Sequence, residues 1–243
     1  GFSETELRTM LEYYREQGVL QMDIEEMIEQ MKPWYDNYCF AEECLGESMY
    51  NSDMALYYIS NCLRTGRPPR EMVDKNIRTD YNKIRHLIRI DRKLGVNFSV
   101  IREIVETGQT TALLNSAFPV DKMVDPNNFR SLLYYFGLLS ISGTDAGEVV
   151  LTIPNHTVRE QMYSYLTDTF EQSDIFRMDF YKLGKLMKDM AYKGDWHPVF
   201  SYIASELEQQ SRIREFIEGE AHVKGFLLAY LGLLNYYCLV PEY

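Results

Sequence analysis

The sequence DPNNFRSLLYYFGLLSISGTDAGEVVLTIPN, residues 125–155, decides the fold that we predict. Its first residue, Asp125, is a favourable helix N-cap, and Pro126 suits the first helical position. Apolar residues then follow at the helical spacing i, i+3, i+4 and i+7. They are Phe129, Leu132, Leu133 and Phe136. Gly137 ends the pattern, so the stretch opens with a short amphipathic helix.

A β-hairpin is predicted directly after this helix. Leu139 and Ile141 alternate with polar residues, residues 142–147 are rich in turn formers, and a second alternating run ends at Pro154. The apolar residues of that run are Val149, Leu151 and Ile153. A helix followed by a two-stranded hairpin is the outline of a winged helix. We expect this hairpin to be the only sheet in the body of the chain.

Helical patterns precede this stretch. Ser3 and Glu6 form a capping box for a helix that ends at Gly18. A second helix is capped by Asp23 and should stop before Pro33. A third should begin at Asn51 or Ser52 and end near Gly66, a helix is expected from residue 79 or 80 to 94, and a short one contains Phe98, Ile101, Ile104 and Val105. Residues 110–120 are predicted to be irregular.

Helices also follow the hairpin. The first is capped by Asn155, the second covers residues 179–193, and the third opens at Pro198. Residues 218–235 are apolar on most of the helix circumference, so this helix should be buried. A β-like run at residues 236–240 follows it.

Composition and charge restrict the function classes. The 243 residues carry a formal net charge of −11, with a sequence pI near 4.9, which works against binding to phosphate backbones. The densest basic stretch, residues 82–93, alternates with apolar residues and is interpreted as the solvated face of a packed helix. We find neither a membrane span nor a signal peptide in the sequence, so a cytoplasmic protein is expected.

Motifs of known chemistry are missing from the sequence. There is no GxxxxGK[ST] or GxGxxG phosphate loop, no GxSxG elbow and no HExxH. The four cysteines contain no CxxC pair and the four histidines are scattered, so no zinc site is predicted. One (D/E)xK match, Asp91-Arg92-Lys93, lies in a helical period rather than on a strand. We therefore interpret it as part of a helix.

An aromatic segment, residues 34–40 with the sequence WYDNYCF, separates two of the predicted helices. Such a cluster is either a platform for a ligand or packing beneath a loop. Four tyrosines on the predicted helices would mark a surface for protein partners if they are exposed. They are Tyr13, Tyr14, Tyr57 and Tyr58.

Several stretches together resemble a large family of AAA-ATPase-like bacterial proteins that carry a PD-(D/E)xK nuclease-type domain at the C-terminus, abundant in Bacteroides-type bacteria. GFSETEL at residues 1–7 is similar to its G-F-T-x-x-E-[VL] element. The aromatic segment followed by Tyr50 and Asn51 resembles its W-Y-D-G-Y-x-F-G and Y-N-P-W-S patterns, with Asn37 in place of a glycine. DKNIRTDY at 74–81, SLLYYFGLLSI and IPN resemble later family blocks, and residues 218–242 resemble the first helix and strand of the nuclease-type domain.

The resemblance implies a middle fragment without either catalytic centre. It implies a helical lid-like region at 1–118, a winged-helix-like element at 119–171, a helical bridge at 172–217 and the truncated start of a nuclease-type domain at 218–243. By position Glu220 is the candidate for an acid near the nuclease metal; an exposed or helix-capping carboxylate is the other interpretation. ATP and Mg²⁺ are implied for the missing parts only.

The function that the resemblance implies is non-catalytic: the chain relays the state of an upstream ATPase core to a downstream nuclease-type domain of the same protein. Nucleic acid is an expected partner of the full-length protein rather than of this acidic fragment. A stand-alone helical interaction module and a winged-helix DNA-binding domain remain alternatives. An enzyme acting through Asp91, Lys93 or Glu220 is a third.

Overall fold

The computed structural model describes residues 1–74, 96–119, 122–123, 125–172, 179–209, 220–232, 236–237 and 239. The described chain is mainly helical, with a small antiparallel sheet. Its helices are α1 (Glu4–Glu16), α2 (Ile24–Tyr35), α3 (Ser52–Thr65), α4 (Val96–Thr107), α5 (Pro126–Tyr135), α6 (His156–Gln172), α7 (Phe180–Lys193), α8 (His197–Gln209) and α9 (Glu220–Gly232). Its strands are β1 (Gln109–Ala112), β2 (Ser140–Asp145) and β3 (Glu148–Thr152).

The backbone separates into two compact units, each formed by two stretches of chain. Unit 1 combines Gly1–His86 with Gln109–Arg159, and unit 2 combines Leu87–Gly108 with Glu160–Tyr243. The division into four domains that the resemblance implies stays a prediction.

The first three helices of unit 1 form a hydrophobic core. The capping box at Ser3 and Glu6 is present, and Asp23 and Asn51 cap α2 and α3 through their side chains, as the sequence predicts. Gly66 ends α3 in the left-handed conformation with φ 67°. The largest buried side chains of this core are Leu7, Leu11, Met27, Met31, Tyr35, Tyr50, Met54 and Tyr58.

The predicted end of α2 before Pro33 is wrong, because the helix continues through Pro33 to Tyr35. Pro33 lies in the last turn of the helix, where it lacks the N–H that would otherwise donate to the Glu29 carbonyl, so it removes one helical hydrogen bond. The backbone N–H of Asp36 still reaches the carbonyl of Lys32 at 3.2 Å. Burial of Tyr35 favours the added turn, since its ring is fully enclosed and its hydroxyl donates to the Met72 carbonyl at 2.6 Å.

The sheet of unit 1 has three strands in the order β1-β3-β2, all antiparallel. The prediction of an irregular connection at residues 110–120 is therefore wrong for residues 110–112, whereas residues 113–119 are irregular as predicted. The prediction of a sheet limited to the hairpin is wrong, because β1 is a third strand. Only four residues, QTTA, form β1, and Thr110 and Ala112 are the two that point inward. So short a run has no clear period of its own, and it becomes a strand because β3 offers it a free edge.

The hairpin is present, but its turn is shorter than predicted. β2 continues to Asp145, and only Ala146 and Gly147 form the turn, with φ values of 47° and 90°. Two positive φ angles are the requirement of a type I′ turn, which matches the twist of the flanking strands. A bulge between Ile141 and Gly143 shifts the register within β2.

The helix that precedes the hairpin confirms the prediction in its cap and its extent. Asp125 accepts hydrogen bonds from the backbone N–H groups of residues 127 and 128, and Gly137 follows the helix at φ 71°. Phe129 and Leu133 are fully buried. The expected burial of Phe136 is wrong, because this residue is the C-cap of α5 and its side chain is 49% exposed.

All the regular secondary structure in the described part of unit 2 is helical. The expected core residues of α4 (Phe98, Ile101, Ile104 and Val105) are buried, as are Leu183 and Met187 of α7. In α9, Phe226 and Tyr230 are buried with their ring centroids 4.6 Å apart. A β-carbon at Gly232 would collide with the ring of Tyr163, so this glycine permits close packing on α9.

Other predictions fall partly or wholly outside the described residues. These are the helix at 79–94 with the basic stretch 82–93, the Asp91-Arg92-Lys93 match, and most of the 74–81 block. Of the predicted strand at 236–240, the structure describes Tyr236, Tyr237 and Leu239, and none of these three is in a strand. A search of the described residues finds no helix with both the length and the apolar character needed to cross a bilayer.

Candidate functional site

The aromatic segment, residues 34–40, lies where the helical part of unit 1 meets the sheet and its neighbouring helices. Tyr35, Asp36, Tyr38 and Cys39 are buried, whereas Phe40 is half exposed. The segment leaves α2 and bonds to three separate parts of the unit, chiefly through its main chain. These bonds favour the interpretation of the segment as packing beneath a loop over its interpretation as a platform for a ligand.

The first group of bonds ties the segment to the start of α6. The Asn155 amide donates to the Asp36 carbonyl at 2.9 Å, while its side-chain oxygen accepts from the Val158 N–H at 3.2 Å. Next to it, the Thr157 hydroxyl donates to the Trp34 carbonyl at 2.8 Å. Asn155 thus caps α6, as predicted, and in addition holds the aromatic segment.

A second group ties the segment to β2 and α5. The Cys39 N–H donates to the Ser140 hydroxyl at 2.7 Å, and the Cys39 carbonyl accepts from the Ile141 N–H at 3.1 Å. The Tyr134 hydroxyl donates to the Phe40 carbonyl at 2.7 Å, and the rings of Tyr134 and Phe40 lie 6.2 Å apart. Through its carbonyl, Cys39 therefore pairs with the backbone of β2 near the start of that strand.

A third group folds the segment onto residues 49–51. Tyr38 pairs with Met49 through two backbone bonds of 3.1 and 2.9 Å, and the Asn51 N–H donates to the Tyr35 carbonyl at 2.8 Å. Asn37 makes the required reversal at φ 72°, in the left-handed region. The resembled family has glycine here, and asparagine is a residue that tolerates this conformation.

Two buried polar atoms beside the segment form no hydrogen bond within the described chain: Asp36 Oδ1 and the hydroxyl of Tyr50. Burial raises the pKa of Tyr50, and the negative charge of nearby Asp36 raises it further. The phenol therefore stays protonated at neutral pH, so it cannot act as a nucleophile or a base there. The contacts described above position the backbone of the segment.

Among the residues that the structure describes, no three His, Cys, Asp or Glu side chains form a group that could hold a metal ion. Cys39 is a free, buried thiol, and its Sγ lies 3.2 Å from the Ala41 carbonyl.

The residues singled out from the sequence as catalytic candidates are not part of this site. Glu220 is the first residue of α9, and its side chain is outside the described part. Asp91 and Lys93 are outside it altogether. Of the four tyrosines expected on a partner surface, Tyr13 is 57% exposed but Tyr58 is fully buried. The expectation of four exposed tyrosines is therefore wrong.

Sequence reasoning missed three residues that carry the site, namely Ser140, Asn155 and Thr157. Asn155 was identified only as a helix cap, and the other two have no special signal in their local pattern. Their partners lie more than a hundred positions away, at residues 34, 36 and 39. A polar residue at an otherwise apolar strand start, such as Ser140, was the one available sign.

No protein-family model, no curated protein and no solved structure matches this chain.

Proposed function

We propose that this chain is the non-catalytic coupling region of an AAA-ATPase-like, nuclease-linked bacterial protein, in which it relays the state of the ATPase to a C-terminal nuclease-type domain. One observation carries the proposal. The aromatic segment bonds simultaneously to the start of α6, to β2 and α5, and to residues 49–51. A displacement of α2 would therefore be transmitted to the sheet and to α6 through buried bonds.

The sequence resemblance supplies the identity of the two connected activities, and the geometry supports the mechanical part. Backbone carbonyls held by side-chain donors fix position without offering chemistry. This suits a relay better than an active site. ATP, Mg²⁺ and the catalytic centre of the nuclease belong, in this proposal, to the parts outside residues 1–243.

The winged-helix DNA-binding alternative receives less support. A reading helix needs basic side chains directed at the major groove. Arg130 is the one basic residue of α5, and its Nε donates to the Thr110 hydroxyl at 2.7 Å, within the sheet. The exposed large side chains at the end of α5 are Tyr135 and Phe136 instead.

The first test is to read the coding frame on both sides of residues 1–243. A GxxxxGK[ST] after a strand upstream, together with an Asp and a (D/E)xK on strands downstream, would support the proposal. A start codon at the first residue and a stop codon after the last would overturn it.

The second test uses the full-length protein with the double substitution Ser140→Ala and Thr157→Val, which removes two of the bonds to the aromatic segment. We expect ATP hydrolysis to persist while its stimulation of nuclease activity falls at least about tenfold, the effect of losing about 1.4 kcal/mol of coupling. Thr9→Val is the matched control, because the Thr9 hydroxyl bonds only within α1, to the Thr5 carbonyl at 2.9 Å. Unchanged stimulation in the double variant would exclude the segment as the relay.

A further inference from the structure

Helix α7 carries a stripe of four exposed side chains, Tyr181, Lys185, Lys188 and Tyr192. Their spacing of i, i+4, i+7 and i+11 places all four on one face of the helix. Tyr181 is 87% exposed and Tyr192 is 76% exposed. The opposite face holds Leu183 and Met187, which are fully buried. The stripe is therefore the outer surface of a helix that is already anchored.

This stripe is basic within an acidic chain. Helix α7 contains four lysines and one aspartate, whereas the whole chain has a formal charge of −11. Lys193 is paired with Asp189 at 2.7 Å, and the Lys182 ammonium lies 4.2 Å from the centre of the Tyr202 ring. Within the described part of the chain, Lys185 and Lys188 form no ion pair. Two ammonium groups are thus available between two exposed tyrosine rings.

More aromatic surface adjoins the C-terminal end of α7. Trp196, in the short connection to α8, is 59% exposed, and its ring lies 6.0 Å from that of Phe200. The ring of Tyr192 makes an edge contact with Tyr236 at 6.2 Å. Aromatic side chains at this end of the stripe therefore extend the exposed aromatic surface beyond Tyr192.

We propose that the α7 stripe binds single-stranded nucleic acid. The two lysines would neutralise successive phosphates, while the tyrosine rings on either side would stack with bases. Eleven residues of helix rise about 16 Å, so the stripe is long enough to contact several nucleotides of one strand. The inference rests on this surface alone and is independent of the proposed relay.

Other occupants fit the stripe less well. A helix that lies in a membrane interface needs a free apolar face, and the apolar face of α7 is buried. The centres of protein interfaces are depleted in lysine, yet lysines occupy the centre of this stripe. Duplex DNA keeps its bases stacked on each other, so it would leave the tyrosine rings unused. In a single strand, unstacked bases can lie on the tyrosine rings while the phosphates contact the lysines.

The test is fluorescence anisotropy of a labelled 12-nucleotide thymidine oligonucleotide, titrated with the 243-residue chain at about 50 mM salt. We expect saturable binding that weakens at least about tenfold in the double variant Tyr181→Ala and Tyr192→Ala, because base stacking is lost. The variant Lys185→Ala and Lys188→Ala should reduce the slope of log K against log salt by about 1.4. Both pairs are exposed, so folding should persist, which circular dichroism would verify.

A charge-reversal pair isolates the location of the site. Lys185→Glu and Lys188→Glu should abolish measurable binding, whereas Arg67→Glu and Arg70→Glu, exposed residues of unit 1 with the same change of net charge, should preserve it. Absent binding by the unmodified chain would overturn the proposal. So would equal losses in the two charge reversals, tighter binding of a duplex of the same length, or equal competition by polyglutamate, which has charge but no bases.

Discussion

Two aromatic-rich regions of this chain have opposite environments. The aromatic segment at residues 34–40 buries its tyrosines and bonds its backbone to distant elements, whereas the surface around α7 leaves Tyr181, Tyr192 and Trp196 largely in solvent. Both regions contain the same residue types, namely Tyr, Trp and Phe among polar neighbours. Composition alone therefore does not separate an internal connection from a contact surface.

The two regions differ in how the N–H and carbonyl groups of their backbone are satisfied. Around the aromatic segment, side chains of Asn155, Thr157 and Ser140 satisfy carbonyl and N–H groups that burial would otherwise leave without water. Around α7 the backbone is satisfied within the helix, so its outward side chains are free to meet a partner. Burial of irregular backbone thus requires many specific bonds, and these bonds make the segment stiff.

The largest contrast should come from removing one tyrosine in each region. Tyr35→Ala deletes a fully buried ring and the bond from its hydroxyl to the Met72 carbonyl, so we expect it to lower the free energy of unfolding by about 3–5 kcal/mol. Tyr181→Ala removes a ring that is 87% exposed, and its effect should be within about 0.5 kcal/mol. Urea denaturation of both variants measures the difference.

Tyr35→Phe completes this comparison, because it keeps the ring and deletes only the hydroxyl. Its expected cost is about 1–2 kcal/mol, which is the penalty for leaving the Met72 carbonyl without its donor. Equal stability of Tyr35→Ala and Tyr181→Ala would mean that the aromatic segment does not lie in a cooperative core.

A smaller contrast compares two helix caps. Asn155→Ala removes both the cap of α6 and the bond to the buried Asp36 carbonyl, so a loss of about 2–3 kcal/mol is expected. Asp179→Ala removes the exposed cap of α7, whose carboxylate accepts from the Lys182 N–H at 3.0 Å, and should cost about 1 kcal/mol. Thermal denaturation of both variants tests the order. Similar losses would indicate that Asn155 acts as a cap only.

Sequence reasoning recovered the local rules of the fold. The caps at Ser3, Asp23, Asn51, Asp125 and Asn155 all depend on residues within three positions, and each is found in the structure. The hairpin was recovered for the same reason. Helix caps can be predicted from a sequence because the groups that form each cap are near neighbours in the chain.

The failures have a common cause in long-range contacts. β1 exists because β3 pairs with it, and α2 continues through Pro33 while the buried Tyr35 finds a partner in Met72. The hydrogen bonds from the aromatic segment to α5, β2 and the start of α6 span 94 to 123 positions of sequence. No local period reports such distances, so the site could be recognised only after the chain was folded.

The smallest expected contrast is the pH dependence of stability with and without the ring of His156, which lies beside the aromatic segment. Burial lowers the pKa of His156, and the positive charge of Arg159 lowers it further. Its ring contacts Trp34 edge-on at a centroid distance of 5.4 Å. Between the folded pKa and the unfolded value of about 6.5, the unfolded chain binds the proton and the folded chain does not. This residue therefore lowers stability as the pH falls below about 6.5.

Comparing unfolding free energies at pH 7.5 and pH 5.0 isolates this contribution, because carboxylates titrate equally in matched variants. His156→Gln should reduce the loss of stability on acidification relative to the unmodified chain. A pH response in His156→Gln identical to that of the unmodified chain would mean that the His156 ring is solvated in the folded protein. In that case the packing of α6 against the aromatic segment would rest on Asn155 and Thr157 alone.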